Sequence, residues 1–238
     1  MTDRKDNKST AKGFRFIYRI VQIICLGLAW LWIGNSSLTA DTLGVRSLGF
    51  GADNKTMKPY LEVGGRYHLL AFPQSQPDRI TYVNHDVTMP LYDKTVNSDG
   101  THSYKIIETV KLPEDARSIL LLRLDAKSAG KYLVIDDMFL EADYSDWLMI
   151  NTTSKPIDIE VAEENYRIKP KSNKICKTGT PAGEAASITG LVKWEDQLRK
   201  FYSTYWPVRK GERSIVIFSE QGNRIRIKRI ADALPSDP

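Results

Sequence analysis

Residues 157–168 set the strongest limit on what this chain can become. Ile157, Ile159 and Val161 alternate with Asp158 and Glu160, and after "AEEN" (162–165) Tyr166 and Ile168 alternate with Arg167 and Lys169. Side chains leave a strand on opposite faces in turn, so the pattern predicts two half-buried strands joined by a polar reversal. Pro156 stands at the start of the first strand and Pro170 beyond the second, where a missing N–H costs least. Two strands alone are marginal in water, so the hairpin belongs to a larger sheet packed against something. It carries no nucleophile, metal-ligand spacing or phosphate loop.

Strand-like runs recur along the chain. They are "VRSLGF" (45–50), "YLEVGGRYHLLAF" (60–72), "RITYVNHDVTMPLYD" (79–93), "SYKIIETVKLP" (103–113) and "SILLLRLDA" (118–126). "KYLVIDD" (131–137), "DWLMINTT" (146–153), "LRKFYSTYW" (198–206), "SIVIF" (214–218) and "RIRIKRI" (224–230) continue the series. "NSDG" (97–100), "KSAG" (127–130), "RKG" (209–211) and "EQGN" (220–223) read as turns, and "PAGEAAS" (181–187) as a loop. Trp194, Leu198, Phe201 and Tyr205 also fit a helical spacing. "FYSTYW" nevertheless favours a strand and Pro207 ends it, so the expectation is a strand over 199–206 after a helical turn at 194–197. Together these signals predict an all-β fold, an antiparallel Ig-like β-sandwich. It fills residues 42–234 as one domain, or as two packed β halves dividing near 139–145, and residues 235–238 form a disordered tail.

The formal charge of +5 belongs to the start of the chain. Residues 1–40 hold Arg4, Lys5, Lys8, Lys12, Arg15 and Arg19 against Asp3 and Asp6; without them, the 34 basic and 29 acidic residues fall to 28 and 27. A nearly neutral remainder offers no field for a polyanion, which argues against nucleic acid as a partner. The basic segment precedes the apolar "IVQIICLGLAWLWIG" (20–34) and the small residues Ser36, Ser37, Thr39 and Ala40. This order predicts a secretory signal cleaved before Asp41, or an uncleaved anchor helix over residues 14–34 that holds the protein to the membrane. Either way the basic end stays in the cytoplasm and the remainder is exported, to the bacterial periplasm or cell envelope. Of the two cysteines, Cys25 lies in the apolar run, so Cys176 has no disulfide partner in the exported part.

"VIDDMFL" (134–140), "WLMINTTSKPIDIEVAEENYRIKPKS" (147–172) and "YSTYWPVRKGERSIVIF" (202–218) together resemble small exported β-sandwich proteins of bacterial envelopes. The middle piece is also similar to Ig-like modules such as pilus chaperones and major-sperm-protein domains, where an "N-x-T/S-x-x-P" segment opens an alternating strand. The paired basic residues with which pilus chaperones grip a pilin terminus have no counterpart here. The resemblance covers roughly the C-terminal half of the chain and implies a fold and export. It carries over no functional residue.

No catalytic set assembles in the sequence. His68, His85 and His102 are not spaced as metal ligands; His68 reads as a half-buried strand residue, and His85 and Asp86, being adjacent, point to opposite faces. "LGFGAD" (48–53) and "EVGGRY" (62–67) read as bulges or turns, since no helix follows that could hold an anion. Asp136, Asp137, Glu141, Asp143 and Asp146 gather in "DDMFLEADYSD" and are the metal candidates, although their spacing matches no EF-hand and a solvated acidic connection is the simpler reading. "NRIRIKRI" (223–230) places Arg224, Arg226 and Lys228 on one strand face, a basic edge that blocks unwanted pairing or attracts an acidic partner or lipid. The expectation is a non-catalytic protein, without cofactor, that binds or supports another envelope component, its partner being an envelope protein. The alternatives are an exported hydrolase or carbohydrate-active protein using Asp136, Asp137 or Asp143, and a single-pass subunit of a membrane complex.

Overall fold

The computed structural model describes residues 42–51, 58–84, 87–124, 131–138, 145–195 and 197–233. The expected signal or anchor, the "KSAG" turn and the C-terminal tail lie outside these residues. Among the described residues the chain is all-β, with sixteen strands in four four-stranded sheets and no helix.

The first eight strands are β1 (Thr42–Gly49), β2 (Tyr60–Val63), β3 (Arg66–Leu69), β4 (Thr81–Asn84), β5 (Thr88–Val96), β6 (His102–Lys111), β7 (Ser118–Arg123) and β8 (Tyr132–Asp136). They form an inner sheet, β4-β1-β7-β8, and an outer sheet, β3-β2-β5-β6. The next eight are β9 (Trp147–Asn151), β10 (Ile157–Val161), β11 (Glu164–Ile168), β12 (Ser172–Cys176), β13 (Ala185–Trp194), β14 (Gln197–Pro207), β15 (Glu212–Gln221) and β16 (Arg224–Ala233). Their inner sheet is β12-β9-β15-β16 and their outer sheet β11-β10-β13-β14.

Strand for strand, the second half repeats the topology of the first. In each half the first strand pairs in parallel with the seventh, and the second pairs with the third and the fifth. Even the irregularity recurs: the β5–β6 register shifts at Leu91/Tyr92 and leaves Ile107 unopposed, and the β13–β14 register shifts at Gly190/Leu191 and leaves Phe201 unopposed. Both extra residues pack against the core of their own half. No repeat in the sequence announces this duplication.

Three cores hold four layers together. Leu43, Val45 and Ile119 meet Leu61, Leu91 and Val110 between the inner and outer sheets of the first half. Trp147, Val216 and Phe218 meet Ile157, Ile159 and Ile188 in the second. The third core joins the two inner sheets, with Leu48, Leu120, Leu122 and Ile135 against Leu148, Ile150, Ile215 and Ile217. The inner sheets are therefore covered on both faces. That is why "SILLLR" and "WLMIN" are continuous apolar runs, whereas the outer β10 alternates.

The structure corrects several expectations. The inner sheets are mixed rather than antiparallel, because β1–β7 and β9–β15 are parallel. Between those partners the chain passes through two outer-sheet hairpins, a path long enough to return it in the same direction. "YLEVGGRYHLLAF" is not one strand but a hairpin, turned by Gly64 and Gly65 with φ of 58° and 77°. At the helical turn expected for 194–197, Trp194 ends β13 and pairs with Gln197, the first residue of β14, so the two ends of this stretch are strand. "PAGEAAS" is a loop only in part, since Ala185–Ser187 open β13, and β12 is a strand that the sequence reading left out.

The "NTTSKP" segment, by contrast, has a definite task. Asn151 is wholly buried at the crossing from inner to outer sheet. Its Nδ2 lies 2.8–3.1 Å from the carbonyls of Lys155, Ile168 and Lys169, and its Oδ1 accepts from the N–H and hydroxyl of Thr153. One side chain thus satisfies the backbone of a chain changing layers.

Candidate functional site

The two outer sheets have the same topology and different exposed faces. In the first half, Leu61 and Leu91 point into the core, so alternation turns Tyr60, Glu62 and Tyr92 outward. Tyr67 stands opposite Glu62 on β3, and Tyr104 projects from β6 on the same side. The Tyr67 and Tyr104 rings stack at 3.7 Å and 6°, while Tyr92 and Tyr60 meet them edge-on at 5.0 and 5.4 Å. Tyr92 donates from its Oη to Glu62 Oε2 at 3.1 Å. Partial burial, together with that bond, holds the Tyr92 phenol proton above its ordinary range. Leu69 and Ile106, opposite Tyr60 and Tyr92, are 49% and 52% exposed. Each of the four strands supplies one tyrosine to a face that is apolar in area and dotted with hydroxyls. Such a face suits recognition, because aromatic rings give contact area at little conformational cost.

The twin sheet carries no such cluster, and its large exposed apolar side chain is Leu198, opposite Lys193 and 59% exposed. Its outward positions hold the exposed Asp158–Arg167 pair at 3.5 Å, Glu160, Asn165, Lys193 and a Thr189–Ser203 hydroxyl contact at 3.3 Å. Tyr205 is its one outward tyrosine, opposite Ser187. The tyrosine cluster is thus not something that this topology requires.

The acidic candidates do not come together as a site. Asp137, just past β8, is wholly buried, and its Oδ2 accepts from Arg46 Nη2 at 2.8 Å and Arg213 Nη2 at 3.2 Å. Asp232 on β16 binds the same two arginines, accepting from Arg46 Nη1 and Nη2 at 2.7 and 2.9 Å and from Arg213 Nε at 2.7 Å. Arg213 Nη1 also donates to the Asp137 carbonyl at 2.6 Å. Each half supplies one arginine and one aspartate to this buried quartet between the inner sheets. Burial opposes the Arg46 charge, but Asp232 and Asp137 outweigh it and hold the guanidinium above its ordinary value.

Asp136 and Asp146 are half-buried, and Glu141 and Asp143 lie outside the described residues. Among the described residues no three His, Cys, Asp or Glu side chains gather as a metal site. Among the described residues, clefts of about 390 and 320 Å³ open on the surface, and neither of these is lined by Asp136, Asp137 or Asp146.

His68 is exposed rather than half-buried, as is His102, while His85 and Asp86 lie outside the described residues. Cys176 is fully buried, and burial pushes its thiol up to about 12, so it is a small core residue with no nucleophilic character at neutral pH. The tyrosine face and the quartet both escaped the sequence reading. A signal for each existed: tyrosines in the outward phase of four strands, and Arg46 and Arg213 interrupting or flanking apolar runs. No protein-family model matches the chain, and no curated protein matches it in sequence.

Proposed function

We propose that this is an exported, non-catalytic protein of the bacterial envelope, built of Ig-like β-sandwich units, that binds another envelope protein through the tyrosine face of its first outer sheet. The observation that carries the reading is the contrast between topological twins. The same four-strand framework bears four clustered tyrosines in one half and, in the other, a mostly polar face with an ion pair, a lone Tyr205 and Leu198. A fold needs no such aromatic surface on its solvent side, and partner recognition does. Export is supported by the basic-then-apolar order of residues 1–40. The carboxylate-hydrolase alternative is the weaker, since Asp137 already meets two guanidiniums.

The test compares tagged protein with two variants, Tyr67→Ser/Tyr104→Ser on the first outer sheet and Tyr205→Ser on its twin. Partners are retained from gently solubilised envelopes, and thermal unfolding checks that each variant is folded. The expected result is one envelope protein held by the parent and by Tyr205→Ser and lost by the double variant. Identical retention by all three overturns the reading.

A further inference from the structure

The second half holds a cleft that makes no use of the tyrosine face. It measures about 320 Å³ and lies between the two sheets of that half, where residues of β13 and β14 face Asn223, Arg224 and Ile225. Val192, Phe201 and Ile225 give it an apolar lining, and all three belong to or pack against the core. Arg199, Lys200 and Arg224 surround that lining and are exposed. Among the described residues Arg199 pairs with the exposed Glu195 at 3.7 Å, a contact of little energetic weight. Lys200 and Arg224 make no ion pair among the described residues, and Arg226 extends the positive charge along the same strand. β14 and β16 are the edge strands of their sheets, so among the described strands none covers this side.

Three cations around an apolar lining, in a part of the chain whose total charge is almost balanced, call for an anion with an apolar body. We propose that the cleft receives an extended acidic segment of a partner polypeptide, its carboxylates against Arg199, Lys200 and Arg224 and an apolar side chain on Phe201. A small inorganic anion makes no use of the lining. A flat bilayer surface meets the cationic rim without entering the cleft. Attraction between exposed charges sets the association rate and weakens with salt, while the apolar contact holds the segment in place.

The test uses the full chain and a fluorescein-labelled peptide alternating glutamate with leucine, followed by fluorescence anisotropy. The peptide binds, its affinity falls as salt rises, and its counterpart with glutamine in place of glutamate binds at least about tenfold more weakly. Lys200→Glu/Arg224→Glu loses at least about tenfold in affinity for the acidic peptide, whereas Lys94→Glu on the tyrosine-bearing sheet does not. Both altered side chains of the double variant are exposed, so an unchanged melting temperature separates lost binding from lost fold. Equal binding of the two peptides, or by the double variant, overturns the proposal. So does displacement of the peptide by inorganic phosphate at equal concentration, or stronger binding to phosphatidylglycerol vesicles, which would assign the charge to a small anion or a lipid surface. The double variant leaves the tyrosine face intact, so failure here and failure of the envelope-partner reading are separate results.

Discussion

Strands β7 and β10 are nearly the same length and obey opposite rules. Every residue of β7 from Ser118 to Arg123 is buried, because Ile119 and Leu121 enter the core of their own half and Leu120 and Leu122 enter the core between halves. On β10 only Ile157, Ile159 and Val161 are buried, and Asp158 and Glu160 meet solvent. The difference comes from layer position rather than from intrinsic propensity. Inner strands have two neighbours to satisfy and outer strands have one.

The sharpest way to break this contrast is at the charges. Arg213→Ala leaves Asp137 and Asp232 buried with half their cationic partners, and it should destabilise by about 3–5 kcal/mol in denaturant unfolding. Arg167→Ala, which removes the exposed partner of Asp158, should cost no more than about 1 kcal/mol. Similar losses at the two sites would mean that the quartet does not lie in a dry interface.

Alanine scanning of neighbouring positions probes the same difference along each strand. Leu120→Ala and Leu121→Ala should each cost about 2–5 kcal/mol, since both leave cavities, one in each core. On β10, Ile159→Ala should fall in that range while Asp158→Ala changes stability by no more than about 0.5 kcal/mol. An alternating result on β7 would refute its double burial.

Gly190 sharpens the comparison within the outer layer. A Cβ there would sit 2.5 Å from Phe201 Cζ, against the underside of the ring that the bulge turns inward. Gly190→Ala should cost about 1–3 kcal/mol, and combining it with Phe201→Leu should recover part of the loss in a double-mutant cycle. Additive losses would show that ring and glycine do not interact.

The same comparison can be made by titration. The Cys176 thiol keeps its proton to about 12 when folded, whereas in the unfolded chain it ionises near its ordinary value of about 8.5. Above that value the unfolded state binds fewer protons than the folded one, so stability falls as pH rises through roughly 9 to 11. Cys176→Ala should therefore lose stability less steeply over that interval than the parent. Identical slopes would mean that the thiol is hydrated.

What the sequence made legible follows the same division. The all-β class, the 157–168 hairpin and most strand positions could be read, because a half-buried strand writes its burial as alternation. β12 was missed because "SNKIC" has only Ile175 and Cys176 as apolar residues and borrows its burial from β9. β13 was hidden by the small residues at its start and by aromatic spacing on β14 that mimics a helix, since the bulge at Phe201 shifts the phase. The parallel pairings, the duplication and the quartet depend on partners far apart in sequence, such as Arg46 and Asp232; local pattern sets the arginines beside apolar runs but does not say what they meet. The tyrosines lie in the outward phase of their strands, but their clustering could not be read for the same reason, as Tyr67 and Tyr104 meet only after β2, β3, β5 and β6 have been set side by side.

The core between the inner sheets has a consequence for the time course of synthesis. When the chain has emerged as far as Met138, the first eight strands are all present, but Leu48, Leu120, Leu122 and Ile135 have nothing to cover them. Their partners on β15 and β16 arrive only after nearly the whole of the second half, a wait on the order of 5–20 s at ordinary elongation rates. During that wait the nascent first half shows an oily face with a guanidinium and a carboxylate set in it. A chain of this kind gains from staying unfolded until it is complete, held by a chaperone or threaded through a translocation pore.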